Sequence, residues 1–165
     1  FQANKTSSSG ILSTHLHSEC VYAEELIVIS PSTTRWVDKI IDDEKEDGSG
    51  YSPYMNGNFV FKNDVVCFEQ VIKEALNYNN LKKEDISILI PHQANLRISQ
   101  FIQKRLGLPN DKVFNNIMKY GNTTAASIPI TLKEIILDDT LKNGDILCLA
   151  AFGSGFTWAS AFIKW

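Results

Sequence analysis

Residues 86–97 read Ile-Ser-Ile-Leu-Ile-Pro-His-Gln-Ala-Asn-Leu-Arg, and this stretch decides the fold. Its first five residues form a short β-branched run, which is typical of a buried parallel strand. His92 follows this strand, and a helical pattern begins a few residues later. In open α/β sheets, ligand-binding and active sites form at the carboxyl ends of such strands. The stretch therefore predicts a strand-to-helix turn that places His92 at one edge of a sheet.

Three amphipathic helices are predicted around this unit. Apolar residues recur at spacings of three and four in residues 61–76, 98–106 and 124–137, which is the helical period. Gly107 and Pro109 end the second helix, because neither residue favours its continuation. Each apolar stripe predicts a helix face that packs on a sheet.

Four further strands are predicted from alternating or continuous apolar residues. They lie at residues 10–17, within 21–29, at 145–151 and at 156–164. With the strand at 86–90, they predict an α/β fold with a five-stranded mixed sheet and helices packed on it. Residues 38–52 are acidic and contain few apolar groups, so they predict a solvated loop insertion, with an acidic docking surface as the alternative.

Composition indicates an ordinary globular domain and excludes several classes. The chain has 165 residues, 44% of them hydrophobic and 21% charged. The net charge of -3 argues against a nucleic-acid partner. The apolar stretch 146–152 is too short to span a membrane, and no signal peptide is visible. Because the chain begins with phenylalanine, we expect a piece of a longer protein.

The cysteines and two of the histidines carry no recognisable site. Cys20, Cys67 and Cys148 are scattered and include no CxxC pair, which fits a reducing, cytoplasmic location and argues against a structural metal. His15 and His17 alternate on a predicted strand without a companion at metal-ligand spacing. We therefore predict no metal site.

Two neutral side chains are the main candidates for chemistry. His92 should lie beside a helix N-terminus, which favours the uncharged imidazole, and such a ring can donate one hydrogen bond to a developing oxyanion. Asn122 follows a glycine before the third helix and could donate to the same oxygen. The structural alternatives are a histidine that caps its turn and an asparagine that caps a helix.

A glycine-containing turn and a basic surface complete the candidates. Residues 153–155, Gly-Ser-Gly, allow a backbone N–H to point into a cavity, although a tight turn alone would also explain them. A basic patch for an acidic partner could be formed by Lys62, Arg97, Lys104 and Arg105, and an ordinary solvated face is the alternative.

Three segments occur in the order found in β-ketoacyl-acyl-carrier-protein synthase III, and the chain resembles that family. They are residues 92–97 (His-Gln-Ala-Asn-Leu-Arg), 120–127 (Tyr-Gly-Asn-Thr-Thr-Ala-Ala-Ser) and 151–158 (Ala-Phe-Gly-Ser-Gly-Phe-Thr-Trp). The likeness extends to residues 10–17 and 55–62. It implies that residues 1–165 are the C-terminal half of a thiolase-type fold.

The resemblance also implies roles for individual residues. The pair that stabilises the enolate corresponds to His92 and Asn122. The loop that completes the oxyanion hole corresponds to Gly153, Ser154 and Gly155, where the family commonly has glycine in place of Ser154. The pantetheine tunnel corresponds to Gly57, Asn58, Phe61, Ala94 and Asn95. Docking of acyl carrier protein corresponds to Lys62, Arg97 and Lys104.

The implied activity is decarboxylative condensation of an acyl-CoA primer with malonyl-acyl carrier protein in fatty acid biosynthesis. Coenzyme A thioesters and the carrier protein's phosphopantetheine are then substrates, no cofactor is bound, and the full-length protein is a homodimer. The acylated cysteine lies upstream of Phe1, so this chain alone is expected to be inactive. The alternatives are a synthase III-like acyltransferase or polyketide starter enzyme, and a non-catalytic half that binds carrier protein or dimerises.

Overall fold

The computed structural model describes residues 9–27 and 53–165, which form an α/β fold with helices on both faces of a sheet. The predicted acidic insertion at residues 38–52 lies outside the described residues. The strands are β1 (Gly10–Ser18), β2 (Leu26–Ile27), β3 (Tyr54–Met55), β4 (Ile88–Pro91), β5 (Ile146–Gly153) and β6 (Thr157–Lys164). The helices are α1 (Gly57–Tyr78), α2 (Leu96–Leu106), α3 (Ile117–Tyr120) and α4 (Ser127–Leu137).

The main sheet has the order β1-β6-β5-β4, and β2 and β3 form a separate two-stranded ribbon. β4 and β5 are parallel, whereas β5, β6 and β1 pair antiparallel. The sheet is therefore mixed, as predicted, but the described residues give it four strands rather than five. On the edge of β4 that faces away from β5, Leu89 forms one isolated parallel bridge with Val113. A 3-10 turn precedes Val113 and two asparagines follow Phe114, and asparagine disfavours continued pairing.

The strand predicted within residues 21–29 is mostly wrong. Cys20–Glu25 forms 3-10 turns, only Leu26–Ile27 is extended, and residues 28 and 29 lie outside the described residues. Glu19 and Phe156 exchange two backbone hydrogen bonds of 2.8 and 3.1 Å just before the turn. The Tyr22 ring then packs against Phe59 and Phe156. This aromatic contact outweighs the local alternation.

Helix α1 confirms the first periodic segment and covers one face of the sheet. Asn56 caps its N-terminus by accepting a hydrogen bond from the Phe59 N–H at 3.4 Å. Phe68, Val71 and Ile72 on its inner face are fully buried. This helix packs with α2 against inward-facing residues of β4, β5 and β6.

The opposite face of the sheet is covered by α4. Ile88 and Ile90 point to this side and Leu89 to the other, since side chains alternate along a strand. All four residues of β4 are buried, which explains its continuous apolar run. No helix among the described residues combines the length and apolarity needed to cross a bilayer.

Candidate active site

A cavity of about 840 Å³ lies at the carboxyl ends of β4 and β5. His92 follows β4 directly, and its backbone N–H extends the parallel ladder by donating to Ala150 O at 2.8 Å. The cavity walls come from α1, the start of α2, the β5–β6 turn, β1 and the segment before α4. The strand-to-helix edge predicted from residues 86–97 is therefore where the concave surface forms.

The His92 imidazole is held by Ser127, at the first position of α4. Nδ1 lies 2.7 Å from the Ser127 hydroxyl oxygen, which also accepts the Gln93 N–H at 3.3 Å. This hydroxyl has no other partner among the described residues, so its hydrogen is directed at Nδ1. The ring proton is then on Nε2. Burial lowers the pKa of His92, which keeps the ring neutral.

Gln93 joins the His92 turn to the segment that leads to Asn122. Its side chain is 2% exposed and donates to Pro91 O at 2.8 Å and to Phe114 O at 3.3 Å. Its Oε1 accepts the N–H groups of Asn116 and Ile117 at 3.1 and 3.2 Å. All these bonds are internal to the protein, so the glutamine positions two loops rather than binding a ligand.

Asn122 lines the same cavity as His92. Its Oδ1 accepts a hydrogen bond from the Thr124 N–H at 2.9 Å, which assigns the carbonyl side of the carboxamide. The Nδ2 group is therefore the side left for a ligand. The capping alternative is partly correct, because this bond supports the 3-10 turn Thr124–Ala126 that leads into α4.

The β5–β6 turn contributes Gly153 and Ser154 to the cavity lining, whereas Gly155 does not line it. Gly155 has φ +132°, and an added Cβ would lie 2.8 Å from the Thr157 methyl carbon, so this position requires glycine. Ser154 does not have a positive φ. A side chain is therefore compatible with the backbone there.

The remaining candidates divide between the cavity and the outer surface. Gly57 and Phe61 on α1 line the cavity together with Ala94 and Asn95 at the start of α2, whereas Asn58 is exposed and does not line it. Lys62, Arg97 and Lys104 are exposed, lie outside the lining and form no ion pair with any described residue. They occupy the two helices that flank the cavity, α1 and α2.

None of the three described thiols lines the cavity, and two of them, Cys67 and Cys148, are poorly suited to act as nucleophiles. Burial, with a smaller contribution from Asp64, raises the pKa of Cys67 to about 11. Burial also raises the pKa of the fully buried Cys148 thiol. Both are therefore protonated at neutral pH, and thiolate is the reactive form. Within residues 9–27 and 53–165, no group of acidic, histidine and cysteine side chains could hold a metal ion.

His15 and His17 share a carboxylate that sequence reasoning missed. Glu74 on α1 lies 2.6 Å from His17 Nε2 and 3.2 Å from His15 Nδ1. The hydrogen bond with His17 is the largest cause that holds the pKa of Glu74 below its ordinary value, and the bond with His15 acts in the same direction. His17 also stacks on Trp158 at 5.5 Å. The cluster fastens β1 to α1 beside the cavity.

Asp64 is the second residue that sequence reasoning missed. It lines the cavity, is 3% exposed, and its Oδ1 has no hydrogen-bond partner in the part of the chain that the structure describes. Burial raises its pKa to about 7. The sequence did hold a signal, because Asp64 lies seven residues after Gly57 and three after Phe61, which places all three on one helical face.

Comparisons with known proteins agree on one family. Residues 76–165 match the family model described as "3-Oxoacyl-[acyl-carrier-protein (ACP)] synthase III C terminal". A β-ketoacyl-[acyl-carrier-protein] synthase III of Alkalilimnicola ehrlichii is 43% identical over 162 residues, covering 98% of this chain and 48% of its own length. One from Clostridium perfringens is 50% identical over 110 residues, covering 67% and 34%.

A solved structure shares the fold. The crystal structure of 3-oxoacyl-[acyl-carrier-protein] synthase III from Aquifex aeolicus superposes with a TM-score of 0.83 at 36% identity, covering 98% of this chain and 46% of that one. The chain thus spans about half the length of the curated relatives it matches.

Proposed function

Because the chain belongs to the 3-oxoacyl-[acyl-carrier-protein] synthase III family, we propose that it is the C-terminal catalytic half of a condensing enzyme. The intact protein joins an acyl-CoA primer to malonyl-acyl carrier protein, with loss of CO₂, in fatty acid biosynthesis. The observation that carries this proposal is the shared cavity of His92 and Asn122, with a neutral imidazole whose Nδ1 is already occupied.

The two residues stabilise negative charge without transferring a proton. His92 Nε2–H and Asn122 Nδ2–H donate to the thioester oxygen of the malonyl group. The bond between the malonyl α-carbon and its carboxylate carbon breaks, and CO₂ leaves. The electron pair of this bond forms an enolate, whose negative charge lies on the thioester oxygen. Each donor contributes ~3–4 kcal/mol to such a site. Both donors are neutral, so neither can quench the carbanion as a strong acid would.

The enolate carbon then attacks an acyl group held as a thioester on a cysteine. A carbon–carbon bond forms, and the cysteine leaves as thiolate. The backbone N–H of Ser154 in the Gly153–Gly155 loop stabilises the tetrahedral oxyanion of this step. We do not assign the nucleophile to Cys20, Cys67 or Cys148, since none of them lines the cavity and burial keeps Cys67 and Cys148 protonated. We assign it to the part of the intact protein outside this chain.

The cavity takes the pantetheine arm that coenzyme A and acyl carrier protein share. We assign the arm to a channel lined by Gly57 and Phe61 from α1 and by Ala94 and Asn95 from the start of α2, and His92 and Asn122 belong to the same lining. The volume of about 840 Å³ lies in the usual range for small-molecule sites. Asn58 is left out of this assignment because it does not line the channel.

The main test supplies the intact protein with acetyl-CoA and malonyl-acyl carrier protein and measures CO₂ and ketoacyl product. Asn122→Ala should lower CO₂ release about 100- to 1,000-fold. Acylation of the cysteine should stay close to wild type, because the proposed donor acts only on the malonyl group. Equal loss of both steps would contradict the role of Asn122.

The same assay separates the alternatives. Turnover of an acyl-CoA without CO₂ release would indicate an acyltransferase, and condensation with an unusual primer would indicate a starter enzyme. Carrier-protein binding without acylation of any cysteine would indicate a non-catalytic half. The proposal also includes a cytoplasmic homodimer, and light scattering of the intact protein at a monomer mass would exclude the dimer.

Acyl carrier protein docks on the basic residues that flank the channel entrance. Lys62, Arg97 and Lys104 are exposed and unpaired among the described residues, so their charge is available to an acidic partner. Replacing both Arg97 and Lys104 by glutamate should weaken carrier-protein binding at least tenfold. The loss of affinity should be smaller at high salt, because salt screens exposed charges.

A matched control reverses two other exposed lysines. Lys133 lies on α4, which covers the opposite face of the sheet from α2, and Lys142 precedes β5 at the end of that strand away from the cavity. Their reversal should leave carrier-protein affinity within about twofold, because exposed charges beyond a Debye length are screened. An equal loss of carrier-protein affinity in both double variants would show that only the net charge matters, and it would contradict a specific docking surface.

A further inference from the structure

Asp64 occupies a costly position in the cavity wall. Gly57, Val60, Phe61 and Asp64 line the cavity together, at the i, i+3, i+4 and i+7 spacing of one helical face. Three of these four positions are glycine or apolar. Asp64 is 3% exposed, and its Oδ1 has no hydrogen-bond partner within residues 9–27 and 53–165. A buried polar atom without a partner costs stability, so this position is better explained by a ligand than by folding.

Among the described residues, no neighbouring charge compensates the carboxyl. The titratable or charged groups on the elements packed against α1 are His15 and His17 on β1, Arg97, Lys104 and Arg105 on α2, Cys148 on β5 and Lys164 on β6. His15 and His17 are engaged by Glu74, and Arg105 by Glu69. None of the described cations forms an ion pair with Asp64. Burial alone raises its pKa to about 7, so the neutral acid is well populated at neutral pH.

We propose that Asp64 is a ligand-binding residue that, as a neutral acid, donates a hydrogen bond from its carboxyl to an amide carbonyl oxygen of the thioester's arm. This inference rests on the proposed function, which places that arm in the channel between α1 and α2. A protonated carboxyl is both donor and acceptor, whereas an ionised one only accepts and would repel a carbonyl oxygen.

The chemistry of the arm matches this donor. The pantetheine arm carries two secondary amides separated by apolar carbons, and the channel wall is largely apolar around one carboxyl. Ligand binding removes the remaining water from the carboxyl, and this favours the neutral form further. The consequence is an affinity for the arm that falls as the pH rises through the pKa of Asp64.

The test measures binding of S-methylpantetheine to the intact protein between pH 6 and pH 9. This probe has both amides but neither the thiol nor the phosphates of coenzyme A, so it does not titrate in this range. The dissociation constant of the wild type should rise about tenfold between pH 6 and pH 8. Asp64→Asn should bind with nearly constant affinity, because a carboxamide donates at every pH.

Two further variants complete the test. Asp64→Leu should bind about tenfold more weakly than wild type at pH 6 and show no pH dependence, since the donor is lost. Glu69→Gln is the matched control, because this α1 carboxylate is paired with Lys73 and Arg105 and does not line the cavity. It should keep the pH dependence of the wild type. His92 is present in all four proteins, so its titration does not distinguish them.

The outcomes separate the two proposals. Probe binding with the same pH profile in wild type and Asp64→Asn overturns the role of Asp64 and leaves the proposed function intact. No binding of the probe to the wild type at any pH overturns the pantetheine site itself. Tighter binding at high pH, lost in Asp64→Asn, would show that the ionised carboxylate accepts from an N–H, which contradicts the donor role.

Discussion

Replacing Asp64 by asparagine should make the stability of the protein less dependent on pH. The pKa of this carboxyl rises from 3.8 to about 7 on folding because of burial. The folded state therefore binds more protons than the unfolded state between these values. By linkage, the wild type loses stability as the pH rises from about 4 to about 7, and above this range the loss is complete.

The magnitude follows from the size of the pKa change. One pKa unit corresponds to 1.36 kcal/mol, so a rise from 3.8 to about 7 corresponds to about 4 kcal/mol. The side chain is 3% exposed, so solvent screens little of this penalty. Asp64→Asn has no titrating group at this position. The difference in unfolding free energy between variant and wild type should grow by about 4 kcal/mol from pH 4 to pH 8.

The assay is denaturant unfolding of both intact proteins at several pH values without ligand. Burying the carboxamide has a cost that does not depend on pH, so it shifts the difference in unfolding free energy equally at every pH. Only the change of this difference with pH is therefore informative. Glu69→Gln serves as the control and should show no such growth, because its carboxylate is paired and its pKa is lowered. A difference between Asp64→Asn and wild type that stays constant from pH 4 to pH 8 would refute the reasoning.

Three other predictions test the positioning of the site. Ser127→Ala should lower kcat about tenfold with little change in KM, because His92 loses the partner of Nδ1; an unchanged tautomer in ¹⁵N NMR spectra would contradict this. Gln93→Leu should lower the unfolding free energy by about 2–3 kcal/mol in denaturant titrations, because two backbone N–H groups lose their acceptor. An unchanged unfolding free energy would contradict the role of Gln93 in holding the two loops. Gly107→Ala should cost about 1–2 kcal/mol by the same measurement, since this helix cap has φ +66°, whereas Gly107→Asn should cost less; equal losses would exclude backbone strain.

Local patterns predicted most of the elements. The apolar spacings of three and four identified α1, α2 and α4, although Thr124–Ala126 forms a 3-10 turn before α4, and the continuous run before His92 identified β4. These signals depend on residues within one or two turns of each other, which a linear sequence displays directly. The strand predicted within residues 21–29 was mostly wrong, with only Leu26–Ile27 extended, because a distant aromatic contact outweighed the local pattern.

The candidate site was predictable only where its residues belong to a recognisable segment. His92 and Asn122 were named from the segments that contain them, and the structure places both in one cavity. Ser127 was quoted within such a segment, but its role beside His92 depends on a contact across 35 positions. Glu74 and its two histidines are separated by 57 and more positions.

The sequence by itself determined which helices and strands form and which edge of the sheet carries His92, because helical and strand periods are local properties of the chain. Only the tertiary structure decided that Asp64 faces a cavity without a partner and that Ser127 orients the imidazole. Such properties depend on which surfaces are buried against each other. Burial also sets the pKa values of Asp64 and His92, since a carboxyl or an imidazole acquires its desolvation cost only when the fold removes its water.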